Sequence, residues 1–271
     1  MEQSGSGRYG SRIVAGAVAL VGVLVVVAAL AVWRSNGRTA GPTNPGLTCA
    51  TTIPARGRPL FAAPGVHRVM LIGDSIMNQA SCSVASSLAG LGITTTRHAI
   101  NGSGLLTGPD WLAMIGPLLV QERPDAVIAI FVGNYTGGVR DAHGNVIQRD
   151  TPQFRAAWQV RAEQLSKVVR DAGADMYWVS PPPFGWPPFQ GAPALYAGYR
   201  TIAGDHFLDA GSSLADARGG ELGDKKTCGT VRALRASDVS HLTPDGARIY
   251  GQTIARELGG SLGLRTSPKP C

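Results

Sequence analysis

Apolar residues fall alternately in short runs and at helical spacing, and that pattern divides the chain into elements. Val66 to Ile72 is a short apolar run of the buried-strand kind. Gln79 to Leu91 then carries small and apolar residues at helical spacing until Gly92 ends it. The cycle repeats as a strand from Ile93 to Ile100, a helix from Trp111 to Val120 and a strand from Ala126 to Val132. Thr151 and Pro152 supply the N-cap and first helical position of a helix running to Arg170, and Met176 to Val179 is the next strand. A strand around His206 to Leu208 precedes an amphipathic helix from Pro244 to Leu258, which closes at Gly259-Gly260. Strands alternating with helices predict an α/β fold, a three-layer α/β/α sandwich whose central parallel sheet is covered on both faces.

The first forty residues follow another pattern. Ile13 to Trp33 is an uninterrupted apolar run flanked by Arg8, Arg12, Arg34 and Arg38, long enough to cross a hydrocarbon core as a helix. It predicts a cytoplasmic tail over 1–12 and a transmembrane signal-anchor over 13–33. A flexible linker rich in Gly, Pro, Thr and Asn over 34–60, one globular domain over 61–264 and a C-terminal tail over 265–271 complete the division. Ala29-Leu30-Ala31 has the small-x-small form of a signal-peptidase site, and cleavage after Ala31 would give a secreted protein. The short N-terminal tail and the even cysteine count put the globular domain outside a bacterial cytoplasmic membrane.

Composition narrows the function classes. With 44% hydrophobic and 16% charged residues the chain is of globular type. Its formal charge of +7 comes mainly from scattered arginines, without a basic run interleaved with aromatics, so a general attraction to anionic surfaces is expected and a nucleic-acid partner is not. Cys49, Cys82, Cys228 and Cys271 show no C-x-x-C spacing. His67, His98, His143 and His206 are dispersed, and Gly102 to Gly108 departs from a nucleotide-binding fingerprint, so neither a metal nor a cofactor is expected.

Ligands of such sheets gather beyond the carboxyl ends of the strands. The first such loop is Gly73-Asp74-Ser75, which puts the Ser75 hydroxyl at a helix N-terminus, where unpaired amides and the helix dipole favour developing negative charge. The second is Asn101-Gly102-Ser103-Gly104, able to turn backbone amides toward a ligand. Gly133-Asn134-Tyr135-Thr136, the third, sets an amide side chain at a strand end. Last comes Asp238-Val239-Ser240-His241, in which a carboxylate can fix the imidazole tautomer and leave the other nitrogen to take a serine proton.

Gly73-Asp74-Ser75, Gly104, Asn134 and Asp238-x-x-His241, in that order, resemble the GDSL/SGNH hydrolase family and its flavodoxin-like fold. The resemblance implies Ser75 as nucleophile, His241 as base and Asp238 behind it. It also implies an oxyanion hole made by the Ser75 amide, a Gly104 amide and the Asn134 side chain. The third block departs from the family's Gly-x-Asn-Asp, reading Val132-Gly133-Asn134-Tyr135, and Gly102 is the alternative to Gly104. Asp74 is expected to brace its turn rather than perform chemistry. The implied activity is hydrolysis of an acyl ester, with transfer to an envelope sugar or a degenerate binding adaptor as alternatives. The implied substrate is a small acyl ester or an envelope glycan or lipid.

The loop Pro181 to Phe189 offers aromatics on the same side of the sheet as a contact surface for acyl or sugar groups. For the cysteines three pairings exist, and the preferred one joins Cys82 to Cys228, pinning two catalytic segments, and Cys49 to Cys271, joining the ends of the domain.

Overall fold

The computed structural model describes residues 49–56, 65–134, 138–141, 143–184, 192–227, 229–238 and 240–264. The expected anchor over 13–33 lies outside them, and among the described residues no helix is long and apolar enough to cross a membrane.

The main sheet holds β1 (Thr52–Ile53), β2 (Arg68–Gly73), β3 (Thr94–Ala99), β4 (Ala126–Ile130), β7 (Asp175–Val179) and β8 (Phe207–Leu208) in the order β1-β3-β2-β4-β7-β8. All neighbours are parallel except the edge pair β1–β3. In the register Gly73 stands level with Ala99 on one side and with Ile130 on the other, so the central strands finish together at one edge. Two small hairpins lie apart from this sheet: β5 (Val139–Arg140) with β6 (Val146–Ile147), and β9 (Asp224–Thr227) with β10 (Thr230–Ala233).

Because side chains alternate across a strand, each strand feeds two cores. Val69 and Leu71 point into a cluster covered by α1 (Ser75–Gly90) and α5 (Pro244–Ser261). Met70 and Ile72 point into another, covered by α2 (Trp111–Glu122), α3 (Pro152–Asp171) and α4 (Ala192–Ala203). This is the expected α/β/α layering. In the second core Trp178 stacks on Tyr199 with centroids 4.4 Å apart, and its indole N–H donates to Ser166 Oγ at 2.8 Å. Truncating such a residue to alanine costs about 3–5 kcal/mol.

Local signals explain the helix ends. Asp74, Asp110, Thr151 and Thr243 each accept a backbone N–H from the first turn of α1, α2, α3 and α5. Gly92 ends α1 in left-handed conformation, as expected. The last helix differs from expectation. It passes through Gly259-Gly260 to Ser261, and beyond it Gly263, of positive φ, lets the Leu264 amide reach the Gly259 carbonyl at 2.7 Å. Gly259 is buried within the helix and does not terminate it. Helix α4 and the two hairpins had not been anticipated.

The disulfide expectation is corrected. Cys82, in the middle of α1, is bonded to Cys49, with Cα atoms 5.7 Å apart, which excludes both preferred pairs. The cause lies at the sheet edge. Arg97 of β3 donates from Nη1 to the carbonyls of Cys49 and Ala50 at 2.9 and 3.2 Å, and so lays the chain ahead of β1 against α1. Cys228 and Cys271 lie outside the described residues.

Candidate active site

Ser75 is the first residue of α1 and directly follows β2 by way of Gly73 and Asp74. The turn is so tight that a Cβ on Gly73 would stand 2.1 Å from the Ile130 carbonyl oxygen, and its φ of 148° disfavours any L side chain. Asp74 is fully buried. Its Oδ1 accepts the Ile76 amide at 2.9 Å, and its Oδ2 accepts the Val132 amide at 2.6 Å. One carboxylate therefore ties the Ser75 turn to the loop after β4, the bracing role expected of it. Burial pushes the Asp74 carboxyl up to about 6, against the amides of Val132, Ile76 and Met77 and the nearby His241, which pull it down.

His241 reaches this turn from a site 166 positions away in sequence. Its Nε2 lies 3.1 Å from Ser75 Oγ, and its Nδ1 lies 2.6 Å from Asp238 Oδ2. A carboxylate only accepts, so Nδ1 carries a proton, and in the neutral ring Nε2 then presents its lone pair to the serine hydroxyl. Asp238 Oδ1 also accepts the Ser240 and His241 amides at 3.1 and 2.9 Å, which shapes the loop around the imidazole. Burial raises the Asp238 carboxyl, but these amides and the ring outweigh it and the net shift is downward. The carboxylate stays ionised where an imidazole needs it.

Two features bring the histidine loop to α1. Gln79, one turn after Ser75, accepts the Leu242 amide at 3.0 Å through Oε1 and donates to the Leu242 carbonyl at 3.4 Å through Nε2. Gly251 of α5 faces α1 so closely that a Cβ there would stand 2.7 Å from the Ala80 carbonyl oxygen. The two helices therefore pack at backbone distance there. Neither residue was singled out in the sequence, although both sit at helical spacing from marked positions.

The groups expected to donate to an oxyanion are arranged differently from expectation. Ser75 holds the N1 position of α1, where an amide has no acceptor within the helix. Asn134 is exposed at the mouth of the site in left-handed conformation, with φ of 72°. One proton of its side-chain amide goes to the Ser103 carbonyl. An Asn amide has two, and among the described residues no acceptor is seen for the second. Gly104 is the correction: it is buried, and its amide donates to the Thr107 carbonyl at 2.9 Å, closing a turn within its own loop. A donor spent in a turn is not available to an oxyanion. Gly102, the alternative, is exposed and does not line the cleft described next.

A cleft of about 200 Å³ opens above Ser75 and His241. Ile76, Val132, Gly133 and Phe184 give it apolar walls, and Asn134 and Ser240 stand at its polar side. Phe184 belongs to the aromatic proline-rich loop that the sequence had marked. Trp186 and Phe189 of that loop lie outside the described residues. Of the dispersed histidines, His98 pairs through Nε2 with Glu122 at 2.7 Å and His206 stacks on Tyr177 at 4.6 Å.

A family model described as "Protein of unknown function (DUF459)" matches residues 68–257, more than half of the chain. The chain belongs to this family. No curated protein matches it. Among solved structures, this DUF459 chain resembles the acetyl xylan esterase Axe2 of Geobacillus stearothermophilus. A single-substitution form of Axe2 is 15% identical with a TM-score of 0.50, the match covering 75% of this chain and 97% of that one. A second Axe2 structure is 13% identical with a TM-score of 0.50, over 74% of this chain and 97% of that one. A GDSL-like lipase from Bacteroides thetaiotaomicron is 11% identical with a TM-score of 0.46, over 72% of this chain and 88% of that one. The Axe2 likeness establishes a shared fold, with a central, mostly parallel sheet flanked by helices.

Proposed function

We propose that the chain is a serine ester hydrolase of the GDSL/SGNH type, with Ser75 as nucleophile, His241 as general base and acid, and Asp238 as the group that orients it. The observation that carries this reading is the linear arrangement Ser75 Oγ, His241 Nε2, His241 Nδ1, Asp238 Oδ2, with hydrogen-bond distances of 3.1 and 2.6 Å. The name of the fold neighbour Axe2, an acetyl xylan esterase, agrees with ester chemistry.

In the proposed reaction His241 Nε2 takes the Ser75 proton as Oγ bonds to the ester carbonyl carbon. The Ser75 amide and the Asn134 side-chain amide donate to the resulting oxyanion. The carbon–oxygen bond to the alcohol then breaks, and the alcohol leaves with the proton from Nε2. Water, deprotonated by His241 in its turn, releases the acid from Ser75 and restores the hydroxyl.

We place this domain outside a bacterial cytoplasmic membrane, anchored by the apolar segment Ile13 to Trp33 or secreted after cleavage at Ala31, and acting on O-acyl groups of envelope glycans or lipids. Support comes from the Cys49–Cys82 bond, which belongs in an oxidising compartment. A second reading, a binding adaptor without turnover, draws on the engagement of the Gly104 amide by Thr107 and of one Asn134 amide proton by Ser103.

One experiment separates these readings. The purified globular domain is given short-chain chromogenic esters and acetylated glycans, with and without an acceptor sugar, and is treated in parallel with a fluorophosphonate probe. Free acid and labelling that require both Ser75 and His241 are expected. Acyl groups appearing on the acceptor would make the protein a transferase, and absence of both turnover and labelling would leave the adaptor.

A further inference from the structure

Arg235 is a buried arginine that the proposed reaction does not use. Only 8% of the residue is exposed, and its guanidinium stands over the ring of Phe184, 5.2 Å from the centroid. Nη2 donates to the Pro183 carbonyl. Glu221 is the facing carboxylate, but its Oε1 is 3.9 Å from Nε, too far for a hydrogen bond. Nε and Nη1 have no hydrogen-bond partner among the described residues. Burying a guanidinium this way is costly, and burial accordingly lowers its pKa. A close, paired salt bridge does not account for it.

What its position achieves is a link. The Arg235 backbone pairs antiparallel with Leu242, and the Ala236 amide donates to the His241 carbonyl at 2.9 Å, so Arg235 lies at the base of the hairpin carrying Asp238 and His241. Its side chain leaves that hairpin and grips the segment Pro183-Phe184, whose ring is a wall of the cleft. A planar guanidinium can stack on a ring and donate to a carbonyl at the same time, whereas an ammonium cannot fill both roles in one plane. The cleft, at about 200 Å³, is near the size of an apolar cavity that takes a benzene-sized group, roughly 150 Å³. A fixed ring at its edge sets what fits.

We propose that Phe184 is the specificity-determining wall of this cleft and that Arg235 is the positioning residue that clamps it, so that esters bearing a compact group against Phe184 are selected. The inference rests on the ester-hydrolase reading above. It assigns chemistry to neither residue.

The test is a panel of chromogenic esters lengthened from acetyl to octanoyl at one alcohol, and a second panel varied in alcohol at one acyl group. Wild type, Phe184→Ala, Arg235→Met and the double variant are each compared by the ratio of kcat/KM between the bulkiest and the smallest ester. Phe184→Ala is expected to raise that ratio at least tenfold on one panel. Arg235→Met is expected to move it in the same direction on the same panel, and to add less than twofold in the Phe184→Ala background. A merely structural Arg235 would lower all esters alike and leave the ratio where it was. Unchanged ratios in Phe184→Ala on both panels, or a full Arg235→Met effect persisting without Phe184, would overturn the proposal. If Arg235→Met fails to fold by far-UV circular dichroism, Arg235→Lys takes its place under the same criteria, while Phe184→Ala still decides the wall. Lack of turnover by the wild type with every ester is a different result, which removes the hydrolase reading itself.

Discussion

The side-chain amide of Gln79 binds both backbone polar groups of Leu242, accepting from its N–H at 3.0 Å and donating to its carbonyl at 3.4 Å. Leu242 directly follows His241, and Gln79 lies one helical turn after Ser75, so this pair of hydrogen bonds sets the spacing between hydroxyl and imidazole. Gln79→Ala should lower kcat about tenfold or more, since a base displaced by an ångström transfers protons poorly. It should cost about 1–3 kcal/mol of stability, because the Leu242 amide loses its acceptor. Steady-state kinetics and urea unfolding of the same variant measure both. Wild-type kcat in Gln79→Ala would show that the helices alone hold the geometry.

The proposed roles predict an order of damage among the three reacting side chains. Ser75→Ala and His241→Ala should each reduce kcat by a factor of roughly 10⁴ or more, and together no further, since they act as a unit. Asp238 is half exposed at 51% of its side chain, so water can partly replace it, and Asp238→Asn should cost less than either. Equal losses for all three in single-turnover measurements would contradict that ranking.

Asp74 predicts a pH dependence of stability with a definite sign. Its carboxyl is raised from 3.8 in the free residue to about 6 in the fold, chiefly by burial. A group whose folded pKa is the higher one binds its proton more tightly when folded. Its contribution is fully present below 3.8 and is lost as pH rises through about 6. The unfolding free energy of the wild type minus that of the non-titrating Asp74→Asn should therefore fall between these values and level off above them. Denaturant melts from about pH 3.5 to about 7.5 test it, and a difference that rises with pH would reverse the assignment.

The Cys49–Cys82 bond closes a loop of sequence separation 33. Cross-links of that span stabilise by roughly 3–4 kcal/mol through the unfolded chain. Cys49→Ser should lower stability by about that amount in urea melts run without reductant. Ser75 and His241 do not depend on this bond for their hydrogen bond, so short-ester hydrolysis per folded molecule should change by less than threefold.

Much of this protein was determined by local chemistry that the sequence states outright. The central strands β2, β4 and β7 announced themselves as apolar runs, whereas β1 lies inside the expected linker over 34–60; α3 and α5 began at Thr151-Pro152 and Thr243-Pro244, and Ser75, Asp238 and His241 stood at strand ends or before helices. Tertiary structure alone decided the rest. Sequence spacing did not reveal that Cys82 meets Cys49, that Thr107 takes the Gly104 amide, or that Arg235 reaches over Phe184. The reason is physical: hydrophobic periodicity and capping are read over a few residues, whereas the partner of a side chain depends on which distant segments packing brings within about 3 Å. Gln79 and Leu242, 163 positions apart, are neighbours in a fold where α1 and α5 pack closely at Gly251.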